Sequence, residues 1–117
     1  MQYLLLIYGA EKAWTTMPEA ERNALYGEYR SFTDAIKQSG HYVGGNPLQP
    51  THTATTVRVR EGKSATTDGP FAETREQLGG YYLVEAKNLD EATGIAARIP
   101  GARLGSIEVR PVMPTGG

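Results

Sequence analysis

The chain contains no cysteine. Disulfides, thiolate nucleophiles and cysteine-based zinc sites are therefore excluded together, whatever compartment it occupies. Histidine is scarce: His41 and His52 are the only two, and their separation matches no metal-ligand spacing. An excess of one charge is missing as well. Twelve basic and thirteen acidic residues leave a formal charge of −1, which supplies no cationic footprint for nucleic acid or an anionic membrane. Long apolar runs are absent. Tyr3–Tyr8 is far too short to span a bilayer, and no basic segment precedes it as a secretory signal would require. The expected address is cytoplasmic, with neither nucleic acid nor membrane as partner. Gly44-Gly45-Asn46 lacks the lysine of a phosphate loop, and no strand–GxGxxG–helix unit, nucleophile elbow or metalloprotease helix occurs. Neither a cofactor nor a metal is expected.

What is present suits one domain over residues 1–117. A chain of this size buries roughly two-thirds of its unfolded surface, enough for one core without cross-links. Tyr3–Tyr8 reads as a central strand, and Gly9–Met17 as a loop. Thr16 or Met17 is placed to cap a helix with Pro18 in its first turn and Glu19 and Glu21 near the positive end of its dipole. Leu25, Tyr29, Phe32 and Ile36 then recur at helical spacing, and Ser39-Gly40 ends the helix. His41–Val43 is extended and stops at Gly44. Thr53–Arg60 alternates β-branched and polar residues as a half-exposed strand, Glu61-Gly62 turns, and Lys63–Thr67 pairs back. Gly79-Gly80 opens a strand through Ala86. Asn88 caps a short helix that turns Ala92, Ile95, Ala96 and Ile99 inward, and Pro100-Gly101 terminates it. Gly105–Arg110 alternates as a last strand, and Gly116-Gly117 reads as a frayed end.

This order predicts an α+β fold of the ferredoxin-like βαββαβ type with an elaborated central hairpin, both helices covering one sheet face. The other face needs a cover. With Tyr3, Tyr81 and Tyr82 in strands, a second subunit packed sheet to sheet is the expected solution.

The run Thr67-Asp68-Gly69-Pro70-Phe71-Ala72-Glu73-Thr74-Arg75-Glu76-Gln77-Leu78-Gly79-Gly80-Tyr81-Tyr82 resembles the signature of the DGPF branch of the YCII-related family. The opening Tyr3–Tyr8, the Ala54–Arg58 strand and the closing Gly105–Pro111 agree with that branch, so the resemblance covers essentially the whole chain. It implies a dimeric α/β-barrel protein, hence a homodimer, with a cleft for a small-molecule ligand. Similarity of the wider group to muconolactone isomerase folds and to dehydrochlorinase modules implies an enzymatic role. The frequent encoding of DGPF members near extracytoplasmic-function sigma factors implies a non-catalytic regulatory partner instead, and the two stay open. YCII proteins proper carry a His early in the first helix and an Asp before a Pro after the second. This sequence departs at both places: its first helix has no His, and Ile99 precedes Pro100.

Asp68 is then the leading substitute. As a turn residue it accepts backbone N–H bonds beside Gly69 and Pro70; as a catalytic residue it presents a general base at the cleft mouth. If Phe71 tucks inward, Glu73, Arg75, Glu76 and Gln77 line a ligand pocket with Asp68; the competing reading is a solvated loop. Glu73 and Glu76 on a short helical turn share a face but are too few for a metal. Trp14 is a candidate for stacking on a ligand or for a dimer contact, against simple burial of surface. The expected ligand-binding set is Trp14, Asp68, Phe71, Glu73 and Glu76. His52 lies close enough in sequence to the hairpin for a His52–Asp68 dyad, while His41 sits at the negative end of the long helix.

Overall fold

In the computed structural model, which describes residues 1–115, the apolar amino-terminal run forms strand β1 (Gln2–Gly9). There follow α1 (Glu11–Thr16), α2 (Glu19–Gln38), β2 (Tyr42–Pro47), β3 (Thr55–Arg60), β4 (Lys63–Asp68), β5 (Gln77–Glu85), α3 (Leu89–Ala97) and β6 (Ser106–Pro111). Short 3-10 turns occupy Thr51–Thr53 and Pro100–Arg103. Four strands make one sheet in the order β2-β5-β1-β6, each neighbour antiparallel. This is the ferredoxin-like α+β arrangement of dimeric α/β-barrel subunits. The elaboration between β2 and β5 is β3–β4, a two-stranded ribbon that does not join the main sheet. The expected frayed end at Gly116-Gly117 lies outside the described residues.

The long helix forms where its apolar stripe predicts. Leu25, Phe32 and Ile36 are buried and Tyr29 is half-buried. Sequestering a side chain such as Ile36 contributes roughly 2–3 kcal/mol. Its end matches expectation, with Ser39 at the C-cap and Gly40 at φ +81°, a conformation that glycine adopts without strain. Its start does not. Pro18 itself is the N-cap, and neither Thr16 nor Met17 caps the helix.

Those two residues belong instead to the region around α1, which the sequence reading left as loop. Thr15 and Thr16 turn their hydroxyls back onto the Lys12 carbonyl (3.1 and 2.9 Å). A six-residue helix with no buried side chain leaves no apolar period to read. In α3 the expected cap is in place: the Glu91 N–H donates to Asn88 Oδ1 at 2.9 Å. Strand β2 continues through Gly44 and Gly45 to Pro47, past the predicted stop. A Cβ at Gly45 would stand 2.8 Å from both the Tyr81 carbonyl and the Tyr82 ring, so the glycine permits the strands to approach.

One face of the sheet meets α2 and α3 in a core of Tyr3, Leu5, Tyr82, Val84, Phe32, Ile36, Ala92, Ile95, Ala96 and Ile99. Tyr3, Tyr81 and Tyr82 were expected to carry more aromatic surface than two helices cover, yet two of them, Tyr3 and Tyr82, are buried. They lie in this core, with Phe32 edge-on to Tyr82 at 5.2 Å and Thr33 hydrogen-bonded to the Tyr82 hydroxyl at 2.7 Å. Strand alternation sends Leu4, Leu6, Tyr8, Tyr81 and Leu83 to the opposite face, where they are only half-buried. Among the described residues, α2 and α3 pack on the other face of the sheet.

Candidate functional site

The Asp68-Gly69-Pro70-Phe71 loop is the root of the β3–β4 ribbon. Gly69, at φ +96°, donates its N–H to the Ala54 carbonyl at 2.7 Å, and the Thr56 hydroxyl donates to the Gly69 carbonyl at 2.9 Å. Asp68 ends β4 opposite Thr55. Its carboxylate is exposed and accepts no hydrogen bond among the described residues. The turn is thus closed by the Gly69 backbone and not, as expected, by the Asp68 side chain. Nor does His52 bond to Asp68 among the described residues; it is exposed in the turn Thr51–Thr53.

Phe71 does not tuck inward. It is 79% exposed. Trp14 lies in α1 with its ring edge-on to Tyr26 of α2 at 5.3 Å, so it fastens one helix to the other. Glu76 accepts a hydrogen bond from the Ser106 hydroxyl at 3.0 Å, tying the loop to β6. The segment holding Glu73 and Glu76 is not helical, and the two do not act as a pair.

Of the expected ligand-binding residues, Glu73 lines a hollow beside the loop. This depression, of about 520 Å³, is bounded by Ala10, Glu11, Lys12, Thr51, Glu73–Arg75 and Gln77. Glu11 organises it. Its carboxylate accepts the Thr51 N–H (2.8 Å) and hydroxyl (3.0 Å), while its own N–H donates to Gln77 Oε1 at 3.0 Å. The junction after β1, the turn at Thr51 and the start of β5 are thereby locked together. Lys12, Glu73 and Arg75 make no ion pair among the described residues. The rim can therefore offer two cations and a carboxylate to a small polar molecule. Three separated segments build this rim. Glu11, Lys12 and Thr51 had no local spacing to betray them, and only the adjoining charge cluster Glu73–Gln77 gave a signal.

A wider hollow, about 660 Å³, lies between α2 and the turn after α3 and includes Glu28, Phe32, Arg98, Pro100 and Arg103. Of its three charged groups, Arg103 pairs with Glu28 at 2.6 Å, and the Arg98 guanidinium lies over the Phe32 ring, 5.7 Å from its centroid. Where the family resemblance calls for an Asp before Pro100, Ile99 is packed into the core at 1% exposure. Among the described residues, no cluster of three His, Asp or Glu residues can hold a metal ion. No helix among them is long and apolar enough to cross a membrane.

His41 joins the ends of α2 and α3. Its Nδ1 lies 2.7 Å from Ser39 Oγ and its Nε2 lies 3.1 Å from Glu91 Oε1. The connectivity imitates a Ser–His–acid triad, but Ser39 also bonds the Ile36 carbonyl and sits at the negative end of α2. An oxyanion there would face carbonyls, so the cluster works as a clasp. The Lys87 backbone N–H, then His41 and the Lys87 ammonium, hold the Glu91 carboxyl below the ordinary carboxylate range. A depressed folded-state pKa adds stability above the unfolded carboxylate pKa and loses it as pH falls through the folded value. Glu91→Gln should therefore lower Tm at neutral pH, and the gap from the parent protein should close on acidification below the carboxylate range. A gap independent of pH would remove Glu91 from the acid limb. Burial pushes the Tyr29 and Tyr82 phenols up from 10.0, against a backbone hydrogen bond at Gly101 and the Thr33 hydroxyl respectively.

Comparison with known proteins places this geometry. The chain is 34% identical over 114 residues to an uncharacterized protein of Rhizobium meliloti strain 1021, spanning 96% of this chain and 92% of that one. The structure of 5-chloro-2-hydroxyhydroquinone dehydrochlorinase from Burkholderia phenoliruptrix AC1100, solved with 2,5-dihydroxybenzoquinone, superposes with a TM-score of 0.57. At 15% identity, covering 97% of this chain and 94% of that one, it shares the fold. The family model of the YCII-related domain matches residues 1–115, and the chain belongs to the YCII-related family.

Proposed function

We propose that the protein is a DGPF-type member of this family that acts in the cytoplasm as a homodimer and binds a small anionic or zwitterionic ligand. The binding place is the depression formed by Lys12, Thr51, Glu73 and Arg75. The observation that carries this reading is the contrast within one rim: Glu11 and Gln77 are locked by hydrogen bonds, whereas Lys12, Glu73 and Arg75 are left without ionic partners. Preorganised walls with uncommitted charges are what a polar ligand requires. The uncovered Leu4, Leu6, Tyr81 and Leu83 face supports the homodimer.

The test is thermal unfolding against a panel of small carboxylates and hydroxyquinones, the latter suggested by the ligand of the dehydrochlorinase structure. A ligand at a hundred times its Kd stabilises by about 2.7 kcal/mol, a rise of several degrees. Lys12→Gln with Arg75→Gln should weaken binding at least tenfold, since charge-assisted contacts are lost. If no compound shifts Tm, or the double variant responds like the parent, the reading fails. Turnover of a binding compound tests the enzymatic form of the proposal, with Asp68 as the general base. Asp68→Ala should then abolish turnover, and a soluble dimeric variant with full activity excludes that role.

The competing proposal is a non-catalytic partner linked to an extracytoplasmic-function sigma factor. It draws on the exposure of Glu73, Thr74 and Arg75. Specific recovery of a sigma factor on the tagged protein, lost when Glu73 and Arg75 are reversed in charge, would favour it over ligand binding.

A further inference from the structure

The β3–β4 ribbon has no support of its own. Two-stranded hairpins are marginally stable in water, and three strands or a packed face are normally required. Yet of Thr55–Asp68 only Thr56 is other than exposed. Val57 and Val59 are 60% and 58% exposed, and they share one face of the ribbon with their cross-strand partners Thr66 and Ser64. The opposite face carries Arg58, Arg60 and Lys63. The tip is tightly made: Glu61 (φ +53°) and Gly62 (φ +76°) both take the left-handed conformation of a two-residue hairpin turn. A regular ribbon with two exposed valines among Thr55, Ser64, Thr66 and Asp68 on one face and three cations on the other, standing clear of its sheet, is built to lie on something else.

The surface of the chain says how much is missing. A compact monomer of 12.7 kDa exposes about 6,200 Å². This chain exposes 8205 Å², roughly 2,000 Å² more. Its radius of gyration is 16.2 Å, against about 13 Å for a compact chain of this length, and its extents are 47 × 46 × 18 Å. An excess of that size matches one subunit's share of an obligate dimer interface, which buries about 2,000–5,000 Å² in total.

We propose that the β3–β4 ribbon is an intersubunit arm that lays its Val57/Val59 face on the uncovered sheet face of a second copy. The inference rests on the homodimer reading and deepens it. The occupant is a second copy because the same chain presents both halves of the contact: the ribbon's valines and the bare face of Leu4, Leu6, Tyr8, Tyr81 and Leu83. A two-fold axis satisfies both at once, each copy giving an arm and receiving one. The Asp68-Gly69-Pro70-Phe71 loop then gains a mechanical role. Gly69 fixes the angle at which the arm leaves the body, and Phe71 stands bare at its root where a neighbouring subunit can cover it. The depression at Glu73–Gln77 follows directly in the chain, so assembly and binding site meet in one segment.

Sedimentation equilibrium tests the arm. Val57→Asp with Val59→Asp should weaken dimerisation at least a hundredfold while the far-ultraviolet spectrum is kept. An equally tight dimer overturns the arm and leaves the homodimer standing; a parent protein that is monomeric at all concentrations overturns both. A photocrosslinker, p-benzoylphenylalanine at Val59, provides a second measurement in case the charged variant fails to fold. In a mixture of ¹⁴N- and ¹⁵N-labelled protein, it should join heavy to light chains at Leu4–Tyr8 or Tyr81–Leu83. Links confined to one chain, links to the helical layer of the other copy, or no links overturn the proposal.

Discussion

Leu5→Ala should lower the free energy of unfolding by about 3 kcal/mol, as leucine truncations in closed cores do. Leu5 lies midway along β1, one of the two central strands. It is fully buried, stands opposite Tyr82 on one side and Val109 on the other, and belongs to the core formed with Ile36 and Val84. Neighbours on two hydrogen-bonded strands cannot close over the void without breaking register, so the cavity term stays on top of the lost transfer energy. With a total stability of about 5–15 kcal/mol for such domains, this is a severe loss, equivalent to a fall in Tm of roughly 10 °C. Met113→Ala makes the comparison, because Met113 is 79% exposed and lies outside the proposed interface. Urea denaturation at fixed protein concentration measures both. Equal losses for the two would mean that Leu5 is not the more enclosed.

Gly105→Ala should cost about as much, on the opposite principle. A Cβ there would lie 2.1 Å from the Tyr8 carbonyl oxygen, 3.0 Å from Gly9 Cα and 3.1 Å from the Tyr8 carbonyl carbon. All three are backbone atoms of the neighbouring strand, so no rotamer relieves the clash. Either β6 shifts at its Tyr8–Ser106 pairing or the turn before it rebuilds. Overpacking of this kind costs about 1–3 kcal/mol and sometimes more. The variant should show a lowered Tm, and amide exchange should quicken at Ser106 and Ile107 ahead of β2, at the far edge of the sheet. Unchanged stability would show that the approach of β6 to Tyr8 is looser than drawn.

Much of the fold was legible because its signals are local. The Leu25–Ile36 stripe, the Asn88 cap and the Glu61-Gly62 turn each lie within one element, where periodicity and turn chemistry act directly. The facing of Tyr3–Tyr8 was not legible. A run that is apolar at every position hides which parity meets the helices, so nothing in it tells that Tyr3 and Leu5 face the core. The detachment of β3–β4 was hidden too, since pairing within a hairpin reads the same whether or not the hairpin joins a larger sheet. The site was legible in part. Glu73 and Arg75 belong to a visible charge cluster, but Glu11 and Thr51 become neighbours only through tertiary folding. The direction of Phe71 was left as a condition, because an aromatic in a loop has no periodicity to say which way it turns, and it turns outward.

The strand order β2-β5-β1-β6 has a further consequence during synthesis. Strand β1, made before the other strands of this sheet, is flanked by two of the last of them, β5 and β6. At about 5–20 residues per second, some 5–20 s pass between the emergence of β1 and that of β6. For that interval Tyr3–Tyr8 has no strand partner on its β6 side and hangs from the nascent chain as an adhesive segment. The β3–β4 ribbon, closed by its own two-residue turn, can pair on its own strands within microseconds of emerging. Nascent chains of this protein should therefore engage a holding chaperone through β1, and release it only once β6 has cleared the exit tunnel.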